Sequence, residues 1–272
     1  MRYYIILASI FLCAAIHAQE PGQQDVYSFN YKWEIPATVA GYALNFYGLD
    51  KLKNKDRLDT TAIMSLDRDK IWWFDRQATY QNPLSQDRSH TMSDVVLNIS
   101  LLLPIALTFD KEIRADWAKL LFLYLETHAL NANLYVWAGP MLNNRIRPFV
   151  YNPDVELDRK LEGGTRNAFF SGHTSWTATA TFFMAKVYAD YHPEIGSKKY
   201  WLYAAALIPP VTVGYFRYNA GKHFPTDIIT GLAIGAGVGV LIPHLHKTGN
   251  HKSWSMMPYF GSCSGLSFTM NF

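Results

Sequence analysis

The sequence predicts an all-α fold, a membrane-embedded bundle of about five or six helices. Apolar residues make up 49% of the 272 residues and charged residues only 17%, below the roughly 25% that is usual for soluble domains. Five long apolar segments follow one another between residues 92 and 242. Histidine, arginine and aspartate residues stand where several of these segments begin or end, which predicts an active site at helix ends on one face of the bundle.

Residues 1–18 have the pattern of a secretory signal peptide. Arg2 precedes a short apolar run, and Ala18 precedes a polar segment. We predict cleavage near Ala18, with an uncleaved membrane anchor as the alternative. Export follows in either case. One of the two cysteines lies inside this segment, so the mature chain keeps Cys263 alone and has no internal disulfide.

Residues 19–91 form a predicted periplasmic or interfacial N-terminal region. Residues 35–49 are a helix candidate that is too short to span a bilayer comfortably. The charged and aromatic stretch that follows contains Trp72 and Trp73. Amphipathic rings of this kind favour a boundary between water and lipid.

Residues 92–246 form a predicted helical domain. Its candidate spans are 92–109, 117–141, 171–191, 200–216 and 223–242. The last span carries glycines at every fourth position, which favours close contact with another helix; they are Gly231, Gly235 and Gly239.

Two further features concern the second span and the C-terminal tail. Glu126 and His128 interrupt the second span. A partly solvated helix explains them as well as a function does, so we leave them outside the site. Residues 247–272 alternate polar and apolar side chains, which predicts a short hairpin.

The charge distribution argues for a membrane orientation and against nucleic acid. The net charge of +3 is too small for a nucleic-acid-binding protein, and no basic run is interleaved with aromatics. The short loops opposite the predicted site carry Lys111, Arg114, Lys198 and Lys199. This bias predicts the bacterial inner membrane with the site facing the periplasm; a soluble periplasmic protein is the alternative.

The stretch "FRYNAGKHFPTD" has the chemistry of a nucleophilic histidine. If a helix begins near His223, then His223 and Asp227 share one of its faces. Asp227 would then accept from His223 Nδ1–H and leave Nε2 as the nucleophile. Arg217, on the preceding loop, can hold a phosphate. Lys222 adds a second positive charge.

Two other segments offer groups for the same anion. In "FFSGHTSW", Ser171 is a natural N-cap, Gly172 allows close backbone approach, and His173 can donate a proton to a leaving oxygen. In "NNRIRPFVYN", Arg147 and Arg145 stand at a helix-to-loop boundary. The predicted spans place all three segments on the same side of the membrane, which indicates one anion site.

These three segments resemble the signature of the type 2 phosphatidic acid phosphatase superfamily, which includes class A acid phosphatases and vanadium haloperoxidases. Its pattern is Lys-x6-Arg-Pro, then Pro-Ser-Gly-His, then Ser-Arg-x5-His-x3-Asp, and the likeness covers about residues 90–245. The resemblance implies His223 as nucleophile, Asp227 as its orienting carboxylate and His173 as acid. It also implies a phosphate cradle, formed by Arg147, Arg217, Ser171 and Gly172.

The sequence departs from that pattern at three positions. Pro140 stands where the family has lysine, Phe170 where it has proline, and Phe216 where it has serine. The first change removes a positive charge from the cradle and the third removes a hydroxyl donor. Lys222 or Arg145 are candidates to compensate.

The resemblance implies a metal-independent phosphatase that acts on a phospholipid or isoprenoid-lipid phosphate in a membrane. No cofactor is expected, and the sequence shows no cluster of metal-ligand type. Phosphatidic acid, phosphatidylglycerophosphate, undecaprenyl pyrophosphate and lipid A phosphates are all candidate substrates. A weakly active or non-catalytic protein that binds an anionic lipid head group and a soluble acid phosphatase are the alternatives.

Overall fold

The computed structural model describes residues 25–249, 254–260 and 264–270. The predicted signal peptide and both cysteines lie outside the described residues.

Within the described residues, six long helices form the bundle, which confirms the predicted all-α class. They are α1 (Tyr31–Lys53), α2 (Pro83–Leu102), α3 (Trp117–Asn133), α4 (Gly172–Tyr191), α5 (Ile208–Asn219) and α6 (Pro225–His246). Shorter helices lie between them, at Thr60–Met64, Trp73–Arg76, Lys111–Ala115, Leu157–Lys160 and Lys199–Ala206. A 3-10 segment, Leu103–Phe109, continues α2, and a π-helical turn, Leu134–Ala138, follows α3.

The predicted C-terminal hairpin is present. Strand β1 (Trp254–Phe260) pairs antiparallel with β2 (Ser264–Met270), and Met257 lies opposite Ser267.

Two N-terminal helices are longer than the sequence predicts, because side-chain caps set their first turns. The Asn30 side chain caps α1 by accepting from the Lys32 amide, so the helix begins before residue 35. The Asn82 side chain caps α2, with Pro83 in its first turn. The predicted domain boundary between residues 91 and 92 therefore falls inside α2.

Close contact between α4 and α6 forms the centre of the bundle. A methyl group at Gly231 would overlap the carbonyl of Ser171, the residue that caps α4, and one at Gly235 would overlap the Ser175 carbonyl within α4. A methyl group at Gly239 would lie 2.7 Å from the Thr179 carbonyl oxygen. The close packing predicted from the glycine row is confirmed. Next to this contact lies an apolar core that includes Leu123 and Phe183.

Two helical segments, Pro83–Phe109 and Pro225–His246, are long and apolar enough to cross a membrane. Among the described residues, the other three predicted spans do not meet this test. Helix α3 has 17 residues. Helix α4 is long enough, but its sequence contains too many polar residues, among them four threonines. The segment predicted at 200–216 is divided between Lys199–Ala206 and α5.

Candidate active site

Main-chain hydrogen bonds hold the three polar segments together at one end of the bundle. The Phe149 amide donates to the Gly221 carbonyl at 2.9 Å, and the Ser171 amide donates to the Asp227 carbonyl at 3.0 Å. The segments are therefore joined through backbone as well as side chains.

Gly221 is the turn that makes this junction possible. Its φ of 62° lies in the left-handed region, which glycine enters without steric cost. A Cβ there would also lie 2.9 Å from the Phe149 Cβ. The turn places Lys222 and His223 between α5 and α6.

A polar pocket opens where the segments meet. It is lined by His90, Arg147, Phe149, Glu162, Gly163, Gly164, Thr165, His173, Arg217 and Lys222. The structure thus brings together four of the residues predicted from the sequence. In the described part of the chain, neither Arg147 nor Arg217 forms a salt bridge with a carboxylate, so the pocket suits an anion.

Arg217 lies in the last turn of α5 and not on a loop, so the predicted loop position was wrong. The helix continues to Asn219 because the turn at Gly221 comes only after it. The Arg217 side chain is 3% exposed. Its Nη1 donates to His90 Nδ1 at 3.0 Å, and its buried Nε has no partner in the described residues.

Lys222 supplies a positive charge to the pocket although Pro140 stands at the family's lysine position. Its Nζ lies 4.8 Å from the centre of the Phe149 ring. Burial, together with the charges of Arg147 and Arg217, lowers the pKa of Lys222 to about 7. An anion in the pocket would oppose that effect.

His223 is 2% exposed and is held by a backbone carbonyl. Its Nδ1 lies 2.6 Å from the Ala168 oxygen. Because a carbonyl only accepts, Nδ1 carries the hydrogen and Nε2 carries the lone pair. Burial, with the charges of Arg217 and Arg147, holds the pKa of His223 well below its ordinary value. The ring is therefore neutral and nucleophilic at Nε2.

Asp227 does not accept from His223 Nδ1, so that prediction was wrong. The helix begins at Pro225, and Asp227 at its third position accepts from the Phe224 amide at 2.8 Å, as in a capping box. The same carboxylate accepts from Arg145 at 2.5 Å. It supports His223 by fixing the start of α6 and not by a direct bond.

Arg145 does not line the pocket, because its guanidinium group is paired with two buried carboxylates. Its Nη2 donates to Asp75 at 2.6 Å and its Nη1 to Asp227. Asp75 also accepts from the Thr226 amide at 3.0 Å. Arg145 therefore stabilises the helix start instead of contributing to the cradle. Asp75 lies far from the three motifs in the sequence, and no pattern there pointed to it.

His173 lies in the first turn of α4, with Nε2 2.8 Å from Asp94 Oδ1. Asp94 is on α2, and sequence reasoning missed it. The available signal was the pair His90 and Asp94, which are four residues apart and therefore share one face of a helix. Burial, with the charge of Arg217, lowers the pKa of His173 to about 3, and the Asp94 carboxylate opposes this shift. The negative charge of a bound phosphate would also favour the protonated ring.

Ser171 caps α4 as predicted, since its Oγ accepts from the Thr174 amide at 3.4 Å. The same Oγ lies 2.9 Å from Thr174 Oγ1, and Ser171 is fully buried outside the pocket lining. Gly172 is also outside that lining. A Cβ at Gly172 would lie 2.8 Å from the Tyr135 ring, so ring packing alone requires glycine there.

Part of the chain matches a known protein family. Residues 117–250, just under half of the chain, match the PAP2 superfamily. A curated relative is the undecaprenyl-diphosphatase of Sulfolobus acidocaldarius, 28% identical over 114 residues, which are 42% of this chain and 49% of the relative. The chain thus spans about half the length of that relative.

A solved structure is also similar to this chain. It is the transmembrane PAP2 type phosphatidylglycerolphosphate phosphatase from Bacillus subtilis, with 20% sequence identity and a TM-score of 0.44. The similarity covers 76% of this chain and 94% of that one.

Proposed function

We propose that the protein is a membrane-associated phosphatase that hydrolyses a lipid phosphate monoester or lipid pyrophosphate through a phosphohistidine, without a catalytic metal. The observation that carries the proposal is the pocket itself, which is lined by Arg147, Arg217, Lys222 and the proposed acid His173. The neutral His223 is buried outside that lining, and the charges of both arginines act on it. Positioning and charge stabilisation are most of what phosphoryl transfer requires.

In the proposed first step, His223 Nε2 attacks phosphorus while the bond from phosphorus to the leaving oxygen breaks. The proton on His173 passes to that oxygen, so a monoester releases the lipid as a neutral alcohol and a pyrophosphate releases it as a lipid phosphate. His173, now neutral, then takes a proton from water as the water oxygen attacks phosphorus. Phosphate leaves and His223 is restored.

The three cations stabilise the charge on the equatorial oxygens during both steps. Arg147 is fixed for this task, because its Nε donates to the Gly164 carbonyl at 2.9 Å and its amide donates to the Thr165 carbonyl at 2.8 Å. Lys222 takes the role that the family's first motif gives to lysine. The cradle therefore regains the positive charge that it lacks at Pro140.

A lipid substrate fits the surroundings of the pocket. Two helical segments are apolar enough to cross a bilayer, and α2, which supplies His90 and Asp94, begins one of them. Trp72 and Trp73 are 56% and 72% exposed, as expected for rings at a membrane surface. We place the protein in the inner membrane with the pocket on the periplasmic side.

The test uses detergent-solubilised protein and its His223→Ala variant. Phosphate release is measured without added metal from the four lipids named above, each in mixed micelles. His192→Gln is the matched control, because His192 caps the far end of the helix that begins beside His173. We expect release by the wild type and the control, inhibition by vanadate, and no release by His223→Ala.

A phosphoryl group trapped on the wild type during turnover, and absent from His223→Ala, would identify the intermediate. Release that persists in His223→Ala would contradict the mechanism. No release from any lipid would favour the alternative of a non-catalytic protein that binds an anionic head group.

A further inference from the structure

A second cluster of ionisable side chains lies at the other end of α6. It consists of Glu34 from α1, Glu126 from α3 and His246 from the last turn of α6. One ligand atom from each lies within 4.8 Å of the other two. His246 is about 30 Å along the helix axis from Pro225, so the cluster is separate from the phosphate pocket.

The His246 ring is oriented with one nitrogen toward the carboxylates. Its Nδ1 lies 2.8 Å from the Ile242 carbonyl oxygen. Because that oxygen only accepts, Nδ1 carries the hydrogen, and Nε2 of the neutral ring presents a lone pair. A backbone carbonyl on the second nitrogen is the usual way in which proteins orient a metal-binding histidine.

One oxygen of each carboxylate has no hydrogen-bond donor in the described part of the chain. Glu34 Oε2 and Glu126 Oε2 are buried atoms without a hydrogen-bond partner in the described residues. They lie 3.4 Å and 3.5 Å from His246 Nε2 without forming a hydrogen bond to it. Three acceptor atoms therefore converge on one point, and buried acceptors require a compensating positive charge.

The spacing of these atoms suits a metal ion. Zinc binds histidine nitrogen and carboxylate oxygen at about 2.0–2.2 Å, and a tetrahedron of such bonds has edges of about 3.4 Å. The two measured separations from Nε2 match that edge. Nitrogen and oxygen donors together favour zinc or a neighbouring transition metal over magnesium or calcium.

We propose that Glu34, Glu126 and His246 bind a divalent transition-metal ion such as Zn²⁺, with solvent as the remaining ligand. An open surface depression, lined by residues 28–32 and by Glu34, gives the ion and its water a route to the cluster. The ion joins α1, α3 and α6 at the end of the bundle opposite the phosphate pocket. Its role is structural, and the hydrolytic chemistry does not involve it.

The test measures metal retention by the full-length protein in detergent. EDTA-stripped protein is loaded with ZnCl₂, dialysed against metal-free buffer and analysed by mass spectrometry for zinc. Glu126→Gln and His246→Gln remove one ligand each. Glu112→Gln, an exposed glutamate on the helix Lys111–Ala115, is the matched control.

We expect about one zinc per chain in the wild type and the control, as a single site of this kind holds one ion. Loss of one ligand should weaken zinc binding by more than about 100-fold, because loss of an outer partner alone costs about 10- to 100-fold. Zinc should also raise the melting temperature of the wild type and the control only.

Two results would overturn the proposal. One is a wild type that retains no zinc and gives no tetrahedral Co²⁺ spectrum, which would mean that a proton on His246 balances the carboxylates. The other is equal zinc retention in both ligand variants. Circular dichroism and gel filtration show whether a variant folds. If one of the two ligand variants misfolds, the other still tests the proposal. Hydrolysis is also measured after treatment with EDTA. Activity that survives shows that hydrolysis does not need the bound metal, so the metal-site proposal and the proposed function can fail separately.

Discussion

Substitution of Asp94 by asparagine tests whether this residue makes His173 an effective acid. The change keeps the side-chain shape and removes the negative charge 2.8 Å from His173 Nε2. A hydrogen bond to a charged group contributes about 1.5–3 kcal/mol. The Asp94 and His173 side chains are 43% and 28% exposed, so solvent screening favours the lower end, about 1.5 kcal/mol.

That energy corresponds to roughly a 10-fold lower kcat. Without the carboxylate, His173 loses its proton more readily, so the alkaline limb of the pH profile of kcat should move down by about one pH unit. KM should not rise, because the change removes a negative charge near an anionic substrate. Steady-state hydrolysis over a pH series measures all three quantities.

Asp87→Asn is the matched control, since Asp87 lies on the same helix, is 82% exposed and pairs with Arg159. We expect its kcat to stay within about twofold of the wild type, as is usual for surface pairs. An Asp94→Asn enzyme with unchanged kcat and an unmoved alkaline limb would refute the role assigned to Asp94.

Three further predictions concern the cradle, the helix start and the helix contact. Because the pKa of Lys222 is about 7, the KM of the wild type should rise as the pH increases above 7. The KM of Lys222→Arg should stay constant up to pH 9. If KM depends on pH in the same way in both proteins, Lys222 is not a cation of the phosphate cradle. Arg145→Gln leaves two buried carboxylates without their cation, so it should lower the free energy of unfolding by about 3–5 kcal/mol and the melting temperature by roughly 6–20 °C. The same change at the exposed Arg114 should have no effect. Equal melting temperatures of the two variants would contradict the pairing of Arg145 with the carboxylates. Gly235→Ala should destabilise the bundle by about 1–3 kcal/mol in denaturant titrations, because its methyl group overlaps the backbone of α4. Gly237→Ala, with open space around it, should be neutral or stabilising, and similar effects of the two would argue against the close contact.

The sequence predicts the features that depend on local chemistry. The glycine row predicts close packing because a four-residue spacing fixes one helix face. Ser171 predicts the start of α4, since few residues cap a helix as well. The spacing of His173, Arg217 and His223 from the helix ends predicts that they come together.

The remaining features depend on partners that are distant in the sequence. Arg145 carries the same charge as Arg147, and only the buried Asp75 explains why it turns away from the pocket. Asp94 becomes relevant only when α2 packs beside α4. The Glu34, Glu126 and His246 cluster joins three helices, and sequence spacing cannot reveal such an encounter.

The close approach of α4 and α6 has a consequence for how the protein responds to its substrate. With backbone in contact along several turns, the two helices form one rigid body, and slippage between them would separate many atoms at once. This body holds His173 at one helix start and Asp227 at the other, so their relative position stays constant through the reaction cycle. In the proposed hydrolysis, substrate entry and product release would therefore depend on motion of the parts around this rigid body, such as the loop that carries Arg147.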